Sequence, residues 1–414
     1  MIFIYNILIS VVGFFIKIAA LFNDKLKLFI KGRKDVFKIL QKNISKQDTV
    51  IWFHAASLGE FEQGLPVIEK VKANYPKHKI LVTFFSPSGY EVKKNHPVPD
   101  IICYLPLDTD KNSKKFLDIV QPELAVFIKY EFWPNYLQQL RKRNIHTLLI
   151  SAIFREKQAF FKWYGSFMRT SLNTFDHFFV QNKTSKNLLN KIDFKNVSVS
   201  GDTRFDRVNE ILSRDNSLSF IEEFKKNKLC FVVGSSWKED EKLIVEYINS
   251  TTHPGVKYII APHNIKGTQI QELKNSIHKK TVLFSEKEGE ELSGYDVFII
   301  DTIGLLTKIY SYADIAYVGG GMGTTGLHNT LEPAVFGIPI IIGKNYKRFK
   351  EAEELVELKG ISVVDSKDSF RHALNQFIEA PELRKSAGSI TKTYVQDNLG
   401  AGKKISDYIQ ILIK

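Results

Sequence analysis

Short apolar runs separated by helix-length segments recur along this chain, and that alternation constrains the fold more than any other feature. From Thr49 the runs read TVIWFHAA, KILVTFF, IICYLPL, ELAVFIK, HTLLISAIF, HFFVQN and VSVSG. Strands joined through helices pair in parallel, and the helices cover both faces of the sheet they form. After Gly201 the segment DTRFDRVNEILSRDNSLSFIEEFKKNK carries no strand run, and the alternation restarts at LCFVVGSS. It continues through KYIIAP, TVLFS, DVFIID, IAYVGGG, IPIIIG and ISVV, with a long helical tail from Ser369. The expectation is an α/β architecture of two Rossmann-like domains facing a cleft, where small-molecule sites usually form. The first would span residues 35–208, a linker 209–228, the second domain 229–395, and a C-terminal helix 396–414. A chain of 414 residues is long enough for two such cores.

The first 34 residues read differently. Residues 2–22 are almost wholly apolar, and the exceptions Asn6, Ser10, Gly13 and Lys17 make one narrow stripe on a helix. Asn23 to Asn43 then hold seven basic residues against two acidic ones. This combination reads as a membrane anchor with a basic flank, the main body lying on the cytoplasmic side of the bilayer. Length permits a span, and the stripe equally permits a helix lying in the interface. The formal charge of +13 suits anionic lipid or a phosphorylated substrate. Nucleic acid is disfavoured, because the charge is spread and no RNA- or DNA-binding module is present. Cys103 and Cys230 lie far apart in apolar runs and read as buried thiols, with no metal-ligand pattern.

Between Ile315 and Gly343 the chain reads IAYVGGGMGTTGLHNTLEPAVFGIPIIIG, a strand run followed by five glycines from Gly319 to Gly326. Glycines at the end of a parallel strand let backbone N–H groups approach an anion. The helical run LEPAVFG would add its positive dipole end, and Glu332 could accept ribose hydroxyls, so the stretch suggests a nucleotide. The same pattern also serves simply to pack a helix on a sheet. It matches neither the Walker loop nor the Rossmann fingerprint.

Six motifs together resemble one family, the Kdo transferases. They are FHAASLGEFEQGLPVI (from Phe53), KYEFWPN (from Lys129), SGDTRFDRV (from Ser200), APH (from Ala261), DTIGLL (from Asp301) and GLHNTLEPA (from Gly326). Those enzymes move 3-deoxy-D-manno-octulosonic acid (Kdo) from CMP-Kdo to lipid A precursors in the lipopolysaccharide pathway of Gram-negative bacteria. The resemblance covers nearly the whole chain. It implies an inverting glycosyltransferase of the GT-B fold, without metal or other cofactor, whose first domain handles lipid IVA and whose second binds CMP-Kdo.

By that resemblance Glu60 is the general base, Glu131 assists the transition state, and Arg204 stabilises the departing phosphate. Read from the residues alone, both acids could merely complement helix N-termini. For CMP the resemblance points to Pro262 and His263, to Ile303, Gly304 and Leu305, and to Asn329, Thr330, Leu331 and Glu332. The chain departs from the family in Arg204, usually Lys, in His263, often Arg, and in Leu305, frequently acidic. Ser235 and Ser236 are further candidates for phosphate, with helix capping as their ordinary alternative. Glu62 reads as a solvated helix residue and Arg207 as a surface cation. A GT-B transferase using another nucleotide sugar on a lipid or glycan acceptor is the competing enzyme reading.

Overall fold

The computed structural model describes residues 1–251 and 253–413. They form two compact units, one of residues 1–207 with 399–414 and one of residues 208–398.

In the first unit α1 (Ile2–Ala19), α2 (Asp24–Arg33) and α3 (Val36–Asn43) precede the sheet. The strands are β1 (Val50–Ala55), β2 (Lys79–Phe84), β3 (Ile101–Tyr104), β4 (Leu124–Ile128), β5 (His146–Ala152), β6 (His177–Val180) and β7 (Val197–Val199). All pair in parallel, in the order β3-β2-β1-β4-β5-β6-β7. Each of the seven apolar runs from Thr49 to Gly201 holds one of these strands. Their side chains are buried on both faces, one layer around Trp52, Phe116 and Phe127, the other around Phe53, Phe61 and Val126. Strand order reverses between β1 and β4, so the loops after them flank the crevice where open α/β sheets bind ligands. One of these loops leads into α4 (Leu58–Asn74).

The second unit repeats the plan with β8 (Leu229–Ser236), β9 (Val256–Pro262), β10 (Thr281–Leu283), β11 (Val297–Ile299), β12 (Ile315–Val318), β13 (Ile340–Gly343) and β14 (Ile361–Val364). Here β8 is the pivot, flanked by β9 and β12 in the order β10-β11-β9-β8-β12-β13-β14. Residues 209–228, expected to be a linker, hold the helix Ser219–Lys225, whose buried Ile221 and Phe224 belong to this unit.

The helical tail divides. Helices Lys367–Glu379 and Pro381–Asp397 stay with the second unit, whereas Ala401–Leu412 packs on the first. Ile405, Ile409 and Ile413 enter the layer that holds Phe61 and Ile68 of α4. The Asp206 carboxylate anchors this return by accepting from the Gly400 and Gly402 N–H groups, at 2.8 and 2.7 Å.

Candidate functional site

In the first unit the loops at the strand ends bring opposite charges together. Glu60 lies in the first turn of α4, where Ser57 Oγ donates to its carboxylate. Lys129 Nζ stands 3.8 Å from the other oxygen. Lys129 is the first residue after β4 and has φ of +74°, which turns the chain sharply there. Tyr130 follows, with Lys129 Nζ 5.4 Å and the Arg155 guanidinium 5.6 Å from its ring centroid. Burial pushes the Tyr130 phenol up, Arg155 and Arg204 oppose that shift, and Glu60 and Asp202 add to it. Glu60 and Arg204, 144 positions apart in the chain, thus act on one phenol. Asp202 holds Arg204 by two side-chain contacts of 2.8 Å, to Nε and to a terminal nitrogen. The cluster around Tyr130 carries the cations Lys129, Arg155 and Arg204 with two carboxylates, Glu60 and the Asp202 that pairs with Arg204.

Glu131 is anchored differently. It is 9% exposed, and its Oε2 lies 2.9 Å from Trp133 Nε1 and 3.2 Å from Nε2 of the fully buried His54. His54 Nδ1 approaches the Thr83 carbonyl at 3.1 Å and the Thr83 hydroxyl at 2.8 Å. His54, Glu131 and Trp133 form one buried network that fixes the loop bearing Lys129 and Tyr130. Glu62 is not merely solvated. Against the upward push of burial, Lys93 at 2.7 Å and Arg207 at 3.0 Å hold its carboxyl below the usual range, and Arg207 is correspondingly occupied.

In the second unit, Pro262 ends β9 and the exposed His263 ring stacks on Trp237 at 4.4 Å between centroids. His328 lies 4.7 Å beyond His263, and Trp237 Nε1 donates to His328 Nε2 at 3.1 Å. The ends of β8 and β9 and the loop after β12 therefore meet in one aromatic stack. Ile303 is 80% exposed, Gly304 takes φ of +89°, and Leu305 precedes the helix Leu306–Ile309. Leu306 and Tyr310 reach the end of β8 at Gly234, where a Cβ would lie 1.9 Å from the Tyr310 hydroxyl. Glu332 also acts on Tyr310, so residues 303–305 and Glu332 border the same strand end.

The remaining donor candidates differ in what they can offer. Asn329 Oδ1 accepts from Leu331 N–H at 3.1 Å while its amide donates to Glu332 at 3.2 Å. Leu331 is fully buried, so it has no side chain to present. The Thr330 hydroxyl is buried without a hydrogen-bond partner, an open polar group in this loop. The helix is only Leu331–Ala334, too short for the dipole expected of LEPAVFG. The glycine loop before it turns at Gly320, which has φ of +90°. Asp240, one of three consecutive acids, holds that loop. Fully buried, it accepts from Trp237 N–H at 2.9 Å, Gly320 N–H at 2.8 Å and the Tyr317 hydroxyl at 2.8 Å. Ser236 Oγ donates to Glu241 at 3.1 Å and caps no helix.

Burial, and to a lesser degree His263, depress the His328 pKa. The unfolded chain therefore takes up this proton first as pH falls. The stabilising contribution is complete above about pH 6.5 and is lost as pH drops through the lower folded-state value. Wild type should lose more melting temperature between about pH 7.5 and about pH 5.5 than His328→Gln, whose amide oxygen still accepts from Trp237. An equal loss in both proteins would refute this.

Residues 31–207 match the family model described as 3-deoxy-D-manno-octulosonic-acid transferase (kdotransferase). A 3-deoxy-D-manno-octulosonic acid transferase of Haemophilus influenzae is 26% identical over 374 residues, covering 87% of this chain and 86% of its own. One from Aquifex aeolicus is 27% identical over 334 residues, covering 78% and 86%. Among solved structures, the UDP-GlcNAc 2-epimerase of Neisseria meningitidis bound to UDP-GlcNAc superposes with a TM-score of 0.61. Its sequence identity is 16%, with 88% of this chain and 100% of that chain covered, so the likeness is one of fold.

Proposed function

Since this chain belongs with the Kdo transferases, we propose that it transfers Kdo from CMP-Kdo to the lipid A precursor lipid IVA with inversion, Glu60 acting as general base. The observation that carries this reading is the convergence of Glu60, Lys129 and Arg204 around Tyr130. Glu60 takes the proton of an acceptor hydroxyl as that oxygen bonds to the anomeric carbon of Kdo. The bond from that carbon to the CMP phosphate breaks, and CMP leaves with the electron pair from the opposite face. Arg204, whose Nε and one terminal nitrogen are held by Asp202, stabilises the phosphate charge as a positioned cation. Glu131 contributes by holding the 129–133 loop through His54 and Trp133.

The second unit takes the nucleotide at the ends of β8, β9 and β12. The Trp237–His263 stack offers a flat apolar surface, Glu332 meets the ribose, and the glycine loop meets phosphate. The N-terminal helix anchors the protein to the inner membrane from the cytoplasmic side, where its lipid substrate is held. The reading is tested by incubating the protein with CMP-Kdo and tetraacylated lipid A precursor and resolving products by mass. Kdo addition that is inhibited by CMP and not by UDP is the expected result. Inhibition by UDP alone would favour the rival reading, a GT-B transferase using another nucleotide sugar.

A further inference from the structure

The helix α1 is long and apolar enough to cross a bilayer, with a mean hydropathy of 2.2 over 18 residues. Its attachment to the first unit argues for another arrangement. The positions turned inward are Ile2, Tyr5, Asn6, Ile9, Gly13 and Ile16, which recur at helical spacing. Tyr5 donates to Asp108 at 2.7 Å, and Asn135 donates to the Asn6 side chain at 2.8 Å. Farther along, Gly13 lets Leu107 come close, its Cδ1 lying 3.3 Å from where a Cβ would stand. In a spanning helix the N-terminal end would lie across the bilayer from the folded body, about 27 Å away at 1.5 Å per residue. Here that end is the one bonded to the body.

The opposite face of α1 presents Phe3, Ile7, Val11, Phe14, Phe15 and Ile18, each 43–72% exposed. A second apolar projection stands beside its N-terminal end. Trp163 is 91% and Tyr164 58% exposed, and they precede the helix Ser166–Leu172, whose Phe167 ring lies 6.0 Å from that of Tyr5. Their loop is tied down, because Arg169 donates to the Phe160 and Lys162 carbonyls at 2.9 and 3.0 Å. A cavity of about 720 Å³ adjoins both elements, lined by Met1, Ile2 and Phe167 and by the cations Arg141 and Lys142. On α2, which follows α1 in the chain, Lys25, Lys27 and Lys31 are exposed.

We propose that α1 lies in the plane of an anionic bilayer, its outer face immersed and the face of Tyr5, Asn6 and Gly13 docked on the protein, with Trp163 and Tyr164 as a second insertion point. This rests on the membrane-anchor reading above and specifies its geometry. An aromatic pair at the headgroup level and basic side chains beside an apolar helix face are what such a surface recruits. From the Tyr5 N–H, which donates to the Met1 carbonyl, the backbone within α1 is hydrogen-bonded along the helix, so its interior brings no unpaired polar group into hydrocarbon.

The test uses the full chain on phosphatidylethanolamine and phosphatidylglycerol vesicles. Phe3→Cys, Val11→Cys and Ile18→Cys are spin-labelled singly, Cys103 and Cys230 being buried and silent. Equal, shallow immersion depths at the three positions are expected, together with loss of most brominated-lipid quenching of tryptophan fluorescence in Trp163→Ala. A depth maximum at Val11 with shallow ends would establish a span and overturn the proposal while keeping the anchor. Undiminished quenching in Trp163→Ala would overturn the second insertion point. Failure of wild type to bind the vesicles would overturn both the proposal and the anchor reading.

Discussion

Glu60→Gln should lower Kdo transfer by at least ~100-fold while leaving the fold and CMP affinity intact, because general-base catalysis is typically worth ~10²–10⁴. Gln fills the same volume and still accepts from Ser57, so the local structure at the start of α4 survives. What it cannot do is take a proton. In wild type the carboxylate stands 3.8 Å from Lys129 Nζ, within reach of a hydroxyl brought to that loop. The measurement is product formation by mass for both proteins, with nucleotide binding followed separately. Equal turnover would remove Glu60 from the chemistry and leave the reaction standing. A fall in turnover matched by a lost fold would instead make Glu60 a structural residue.

Asp240→Ala should destabilise the second unit by ~3 kcal/mol or more, since it strands a buried phenol and two backbone N–H groups that each cost ~1–3 kcal/mol when unpaired. Burial, and secondarily Asp240 itself, push the Tyr317 phenol far above its ordinary value, so it stays a donor in need of an acceptor. Trp237 lies at the start of one helix and Tyr317 and Gly320 on β12 and the loop after it, two segments that this single carboxylate ties together. CMP affinity should therefore fall with stability, because the glycine loop and the aromatic stack lose their common support. Urea denaturation and CMP titration of the variant read the two effects. Unchanged CMP affinity in a folded variant would show that the nucleotide rests elsewhere.

Some of this was legible in the residues. Glu60 and Arg204 stand in motifs near strand ends, and the glycine loop marks itself by composition. Asp240 was hidden because it sits among Glu239 and Glu241, and nothing in a run of three acids distinguishes the buried one. His54 lies within an apolar strand run, and only its neighbours Thr83, Glu131 and Trp133 show that it organises a loop. Arg155 carries no motif signal at all, since its approach to Tyr130 depends on how β4 and β5 end side by side. Glu62 looked solvated because its partners Lys93 and Arg207 come from distant segments.

Every apolar run expected to be a strand is one, from β1 to β14, because strand length and helix spacing are set by side chains that are neighbours in the chain. Strand order, the pivots at β1 and β8, and the placing of Ala401–Leu412 on the first unit were decided only by the tertiary structure. That last helix is held by contacts such as Tyr75 with the Ile413 carbonyl, 338 positions apart, and by burial of Ile405 and Ile409 beside Phe61. Which face α1 turns to the protein likewise depends on Asp108 and Asn135, far from it in sequence, which meet Tyr5 and Asn6. Local periodicity says which face of an element can be buried. What buries it is settled by packing among all segments at once, where the loss of apolar surface to water is summed over the whole fold.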